Sequence, residues 1–200
     1  MTLSLDLRRL DRIDETGPTW QTCEESARIR AFCREEDRRR ATLSLSLQKF
    51  VVARRFGIPP TEIVLKRTLH GKPYYENTAG FNFNVSHDGE YVVVASSDSH
   101  DVGVDLVHLR RPVHLPAYVA HLSDGERHYV GDSPERFLRI WSLKEAYTKA
   151  IGVGLHHPNL RDVAFEVTPT GTRLSGGDAW SFLTMMVNAD HLLSVAMRKS

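Results

Sequence analysis

The sequence predicts an α+β protein made of two similar α/β lobes in a pseudo-twofold arrangement. Three observations carry that prediction. Helical and strand periodicities alternate in the order helix, strands, helix, strands, so each half of the chain follows one plan. The 200 residues suit one compact domain or two half-size lobes sharing a core. The 41% hydrophobic and 26% charged residues are ordinary proportions for a soluble globular protein. No residue-level repeat accompanies the plan. The lobes are expected to be 1–107 and 108–200, with a ligand site in the cleft between them.

In chain order, Leu3, Leu5 and Leu7 alternate as a first strand over 1–10, and 11–23 form a connector around Gly17-Pro18. A helix is expected to begin near Glu24 and to break near Glu35 to Asp37. A second helix follows over 38–56, with Leu43, Leu47, Phe50 and Val51 at helical steps and Gly57 as its stop. Pro59-Pro60 forces an extended turn. Strands are expected at 63–68, 81–85, 91–95 and 102–107, with turns at Gly71-Lys72-Pro73 and Asp88-Gly89. In the last of these strands Val102, Val104 and Leu106 form an apolar row, which places Asp105 on the opposite face. Residues 108–132 read as irregular, with a short helix near 124–130. Strands at 163–167, 180–187 and 192–197 close the chain, the last two joined by a turn at Asn188-Ala-Asp190.

Between these blocks, 134–151 reads as a helix with both ends marked: Ser133 as cap, Pro134 at the first position, Gly152 past the end. Phe137, Ile140, Trp141, Ala146, Tyr147, Ala150 and Ile151 make its buried stripe. Trp141, Glu145 and Lys149 stack beside that stripe at four-residue steps. An i, i+4 Glu–Lys pair is commonly a solvated surface pair. With Trp141 on the same face, a half-buried carboxylate beside an amine is also a candidate for metal ligation or proton transfer.

A net charge of +1 gives no global attraction to nucleic acid or membrane, although Arg28, Arg30, Arg34, Arg38, Arg39 and Arg40 cluster among Glu35, Glu36 and Asp37. Cys23 and Cys33 match no zinc spacing and are expected to be free cytosolic thiols. The N-terminus lacks the pattern of a secretion signal, and no stretch reaches membrane-spanning length. His114, His121 and His128 recur every seven residues, but Pro116 and Gly125 interrupt any single helix that would align them. His156-His157 reads as surface. Arg110, Arg111 and Arg127 with Leu115, Tyr118 and Val119 offer a basic, partly apolar face for an acidic partner.

Three pieces point at one another: Asn84-Val-Ser-His-Asp88, Gly103-Val-Asp-Leu106 and Trp141-Ser-Leu-Lys-Glu-Ala-Tyr-Thr-Lys149. Together with Arg67-Thr-Leu-His-Gly-Lys-Pro73 and Lys149-Ala-Ile-Gly-Val-Gly-Leu155, they resemble the 4′-phosphopantetheinyl transferases of the surfactin type. The likeness is greatest to the branch typified by the animal aminoadipate-semialdehyde enzyme, and it runs over about 25–197. The resemblance implies that fold and transfer of phosphopantetheine from coenzyme A to a serine of an apo acyl or peptidyl carrier protein. It further implies Asp105 and Glu145 as ligands of magnesium, or of manganese in its place, and Glu145 or a water it orients as the base. It matches Lys149 to the group that stabilises or protonates the departing phosphate. It assigns Arg28, Arg67, Lys72, Ser86, His87 and Lys149 to coenzyme A. Many members carry a second acid two positions after the Asp, where this chain has Val107, so two protein ligands are expected, not three. Half-length relatives build the site by oligomerising; two lobes in one chain predict a monomer, cytoplasmic and independent of nucleic acid and membrane. The rival readings are a non-catalytic carrier-protein or coenzyme A binding module and an RNA-binding protein. The first would be favoured were Asp105, Glu145 or Lys149 missing. The second lacks a stacking aromatic platform.

Overall fold

The computed structural model describes residues 3–12, 20–76, 80–154, 159–168 and 171–199. The chain runs β1 (Leu3–Arg9), α1 (Cys23–Arg30), α2 (Glu35–Phe56), β2 (Lys66–Arg67), β3 (Pro73–Tyr74), β4 (Asn82–Asp88), β5 (Tyr91–Ser97) and β6 (Val102–His108). It continues α3 (Asp124–Val130), α4 (Pro134–Ala150), β7 (Phe165–Thr168), β8 (Gly171–Leu174), β9 (Trp180–Met186) and β10 (His191–Arg198). Two three-stranded sheets are ordered β1-β5-β4 and β6-β10-β9, with β2–β3 and β7–β8 as separate hairpins. All pairings are antiparallel.

Side-chain alternation stacks these elements in layers. Val92 and Val94 of β5 join Leu47, Val51 and Val52 of α2. The alternate residues Val93 and Ala95 join Val102, Val104 and Leu106 of β6 and Leu193 and Val195 of β10. On the far side of the second sheet, Val107 and Leu192 meet Phe137, Ile140 and Leu143 of α4. The order is therefore α2, first sheet, second sheet, α4. Both inner strands are covered on both faces, which is why β5 reads as a continuous apolar run.

Where the sheets cross, β4 serves the free edge of β6 with side chains. Asn84 Oδ1, Ser86 Oγ and Asp88 Oδ2 accept the backbone N–H groups of Val104, Leu106 and His108 at 3.0, 3.1 and 2.8 Å. Alternate residues of one strand thus satisfy alternate amides of another, and the edge is closed without a ladder. On the opposite side β6 approaches α4 so closely that a Cβ on Gly103 would lie 2.0 Å from the Ala146 carbonyl oxygen.

The short helices brace the long ones. Thr22 and Glu25 form a capping box on α1, Ser123 and Glu126 one on α3. Each glutamate also takes a buried lysine from the following long helix, Lys49 to Glu25 at 2.8 Å and Lys144 to Glu126 at 2.9 Å. Lys144 further donates to Leu160 O at 2.9 Å and to Val163 O.

Several expectations shift. The break between the first helices lies at 31–34, and α2 begins at Glu35, because Glu35, Glu36 and Asp37 suit the positive end of a helix. The strand expected at 63–68 reduces to Lys66–Arg67, since Ile63 turns into the α2 core after a 3-10 turn at Pro60–Glu62. β8 was not anticipated, nor was the 3-10 turn at Leu115–His121. Ile151 lies past the end of α4 and is 36% exposed, outside the buried stripe. Gly17-Pro18 and His156-His157 lie outside the described residues. Among the described residues no helix is long and apolar enough to cross a membrane.

Candidate active site

Where β4, β6 and α4 meet, the fold brings together side chains far apart in sequence. Asp105 projects from β6 toward α4, on the face of Gly103 and Val107 as the alternation predicts. Its Oδ1 accepts the Lys149 ammonium at 2.6 Å and the Ser86 hydroxyl at 3.2 Å. Lys149 also donates to Ser86 Oγ at 3.3 Å. Lys149 therefore reaches across to the strand carboxylate, and the solvated Glu145–Lys149 pair open from the sequence is not what forms.

Glu145 lies half-buried one turn back on α4. Burial raises its pKa above the usual carboxylate value, and Asp105 adds to the rise; Lys149 and a hydrogen bond from Trp141 oppose it. Trp141 is held by Tyr118, in an edge contact at 5.2 Å, and by Phe137, stacked at 5.6 Å. Two carboxylates that feel each other's charge, one already drawing an ammonium, are hard oxygen donors suited to a small dication. Val107 is 3% exposed and packed under α4, so no third carboxylate joins them from β6.

The basic residues divide into groups. His87 keeps an exposed face at the end of β4; burial, then Arg40 and Lys149, push its pKa down and favour the neutral ring. Arg28 and Arg67 lie close enough that, after burial, the Arg28 charge is the next cause lowering the Arg67 pKa. Lys72 stands apart. Its ammonium donates to Ala150 O at 2.8 Å and to Val102 O at 3.3 Å, beside a cleft of about 280 Å³ between β2–β3 and the end of α4. The Arg110, Arg111 and Arg127 face is largely neutralised by Asp190, Asp88 and Asp124.

The family description "4′-phosphopantetheinyl transferase, N-terminal" matches residues 19–99, and "4′-phosphopantetheinyl transferase superfamily" matches 101–186. A "4′-phosphopantetheinyl transferase pptA" of Paxillus involutus is 31% identical over 183 residues, covering 78% of this chain and 69% of that protein. The chain belongs to the 4′-phosphopantetheinyl transferase superfamily. A "Phosphopantetheinyl transferase" of Thraustochytrium sp. is 35% identical over 66% of this chain and 52% of its own length. The human "L-aminoadipate-semialdehyde dehydrogenase-phosphopantetheinyl transferase" is 30% identical over 88% of this chain and 66% of its own length. The chain thus spans about half to two thirds of these two curated relatives.

The two transferase matches meet at residue 100, between β5 and β6. Asp105, Glu145 and Lys149 come from the second, Ser86 and His87 from the first. Sequence reasoning missed Arg40, which donates to Gly89 O at 3.1 Å and acts on His87. Its only signal was membership of the Arg28–Arg40 run. Asn84 and Asp88 stood inside a quoted motif, yet nothing local showed that they close the edge of β6.

Proposed function

We propose that this chain transfers the 4′-phosphopantetheine group of coenzyme A to a serine hydroxyl of an apo acyl or peptidyl carrier protein, releasing adenosine 3′,5′-bisphosphate. The observation that carries the reading is the meeting of Asp105, Glu145 and Lys149 beside Ser86, on strand, helix and seam. Asp105 and Glu145 would hold magnesium, or manganese in its place. Bound there, the ion would offset pyrophosphate charge and act as a Lewis acid at phosphorus. Glu145, or a water it orients, accepts the proton of the carrier serine. The serine oxygen forms the new bond to phosphorus as the bond to the adenosine 5′-phosphate breaks, and Lys149 stabilises that departing phosphate. Arg28, Arg67 and His87 hold the nucleotide phosphates, and Ser86, whose hydroxyl is engaged by Asp105, Leu106 N and Lys149, holds the strand that carries His87. Lys72 belongs to the same hairpin as Arg67, with its own ammonium turned to the end of α4.

We further read the chain as two related lobes, 1–107 and 108–200, with the site in the cleft between them and β6 as the shared seam. Both sheets place their first strand beside their third. Asp6, opposite Val94, binds Arg54 at 2.6 Å as Asp105, opposite Ser194, binds Lys149 at 2.6 Å. Arg54 follows the buried Lys49 by the same interval as Lys149 follows Lys144, and Phe50 then stands where Glu145 does. In the register of the second sheet, Leu183, Met185 and Val187 occupy the places of Asn84, Ser86 and Asp88. Those apolar side chains accept no hydrogen bonds, so β1 gains no matching partner, which supports one site per chain. Exposed, unpaired Cys23 and Cys33 agree with a cytoplasmic protein.

The test is the intact mass of an apo carrier protein incubated with this chain, coenzyme A and magnesium. Transfer adds about 340 Da, one phosphopantetheine by formula, and the gain disappears with Glu145→Ala or with EDTA. No gain on fatty-acid, polyketide and peptide-synthetase carriers, with coenzyme A still bound, would leave a non-catalytic binding module instead.

A further inference from the structure

We propose that Lys49 is a positioning residue: from inside α2 it seats α1, and through α1 it holds Arg28 where a phosphate of coenzyme A can meet it. The inference rests on the transfer reading above. α1 has only eight residues, and of these only Glu25 and Ile29 are buried. A helix of two turns does not keep its place by propensity, so one apolar and one ionic anchor seat it. Arg28 is exposed, three residues past Glu25 and next to Ile29, so its position follows from both anchors.

Lys49 supplies the other half of the ionic anchor. It is fully buried on a helix that is itself fixed, since Leu47, Val51 and Val52 pack with Val92 and Val94 of β5. Its ammonium donates to Glu25 Oε2 at 2.8 Å and to the Trp20 carbonyl. The same carboxylate oxygen accepts Thr22 N at 2.8 Å, which closes the capping box. One cation thus gathers the first turn of α1 and the chain that leads into it. At the other end Arg38 Nη1 donates to Phe32 O at 2.7 Å and to Cys33 O at 3.2 Å. α1 is therefore tied to α2 at both ends, with Arg28 left free on its outer face. Apolar contact alone lets a short helix slide, whereas an ammonium on two oxygens fixes it to within a hydrogen-bond length.

The test is a double-mutant cycle on the Kd for coenzyme A, read by calorimetry. Arg28→Ala should weaken binding about tenfold or more, the loss of one charged hydrogen-bond partner. Lys49→Met should weaken it about threefold or more, with kcat in the mass assay at saturating coenzyme A within about threefold of the unmodified chain. With both changes the Kd should lie within about twofold of Arg28→Ala alone, because Lys49 acts through that side chain. Lys49→Met strands a buried carboxylate, so Glu25→Gln/Lys49→Met, which keeps the Thr22 cap without a buried charge, is measured beside it and should behave alike. Lys49→Arg, still able to donate to both oxygens, should recover most of the affinity. A merely structural lysine gives an unchanged Kd, or losses that add to those of Arg28→Ala, and either result overturns the proposal. So does Arg28→Ala with an unchanged Kd, which removes the contact that Lys49 would serve. If the unmodified chain binds coenzyme A and transfers nothing, the transfer reading has failed, while the Kd cycle still decides the role of Lys49.

Discussion

The hydroxyl of Ser86 has one hydrogen to donate and two lone pairs to accept with, and all three are used. It donates to Asp105 Oδ1 and accepts from Leu106 N and the Lys149 ammonium. Through it the strand edge, the carboxylate and the lysine share one anchor. Ser86→Ala leaves the Leu106 amide buried without its acceptor and frees Asp105 to rotate. We expect a loss of about 1–3 kcal/mol in urea unfolding, with kcat down about tenfold in the mass assay. A variant with undiminished stability would show that water replaces the hydroxyl at the seam.

Among the elements, the packing of α4 on β6 decides whether the carboxylates meet. The contact relies on a residue with no side chain, because a Cβ on Gly103 would sit 2.0 Å from Ala146 O and 2.4 Å from Ala150 N, both rigid helix backbone. Gly103→Ala must push helix and strand apart over the turn that carries Glu145 and Lys149. The expected cost is about 3 kcal/mol, read as a lowered thermal midpoint, with activity lost more than stability alone explains. A neutral Gly103→Ala would mean that the helix can shift without disturbing the site. The buried Lys144–Glu126 pair supports the same helix from behind, binding it to α3 and to the segment leading into β7.

Across the whole molecule the turns of the two sheets meet at a histidine pair. His191 is 6% exposed, its ring 4.8 Å from His108 and 5.0 Å from Tyr91, with Nε2 buried and unpartnered among the described residues. Burial, then His108, hold its pKa below the ordinary 6.5, although Asp88, Glu90 and Asp190 pull the other way. The unfolded chain therefore takes up this proton before the folded one does. That contribution to stability is complete above about pH 6.5 and is lost as pH falls through the lower folded value. His87 has the same sign. Urea midpoints measured from pH 7.5 down to 5 should fall, and His191→Gln should flatten part of that fall. An unchanged slope would place the acid sensitivity elsewhere.

The sequence by itself determined what depends on neighbours along the chain. Ser133, Pro134 and Gly152 bound α4, Gly57 closes α2, and alternation puts Asp105 opposite an apolar row. The motifs around Ser86, Asp105 and Glu145 were legible because each is a short string whose chemistry is carried by residue type. Only the tertiary structure decided where those groups point. Lys149 turns from its helical neighbour Glu145 to a carboxylate on another strand, Lys72 turns from solvent to a helix end, and Asn84 and Asp88 become acceptors for β6. A donor's partner is chosen by which acceptor lies within about 3 Å and out of water, and crossing the sheets sets that distance where spacing along the chain does not.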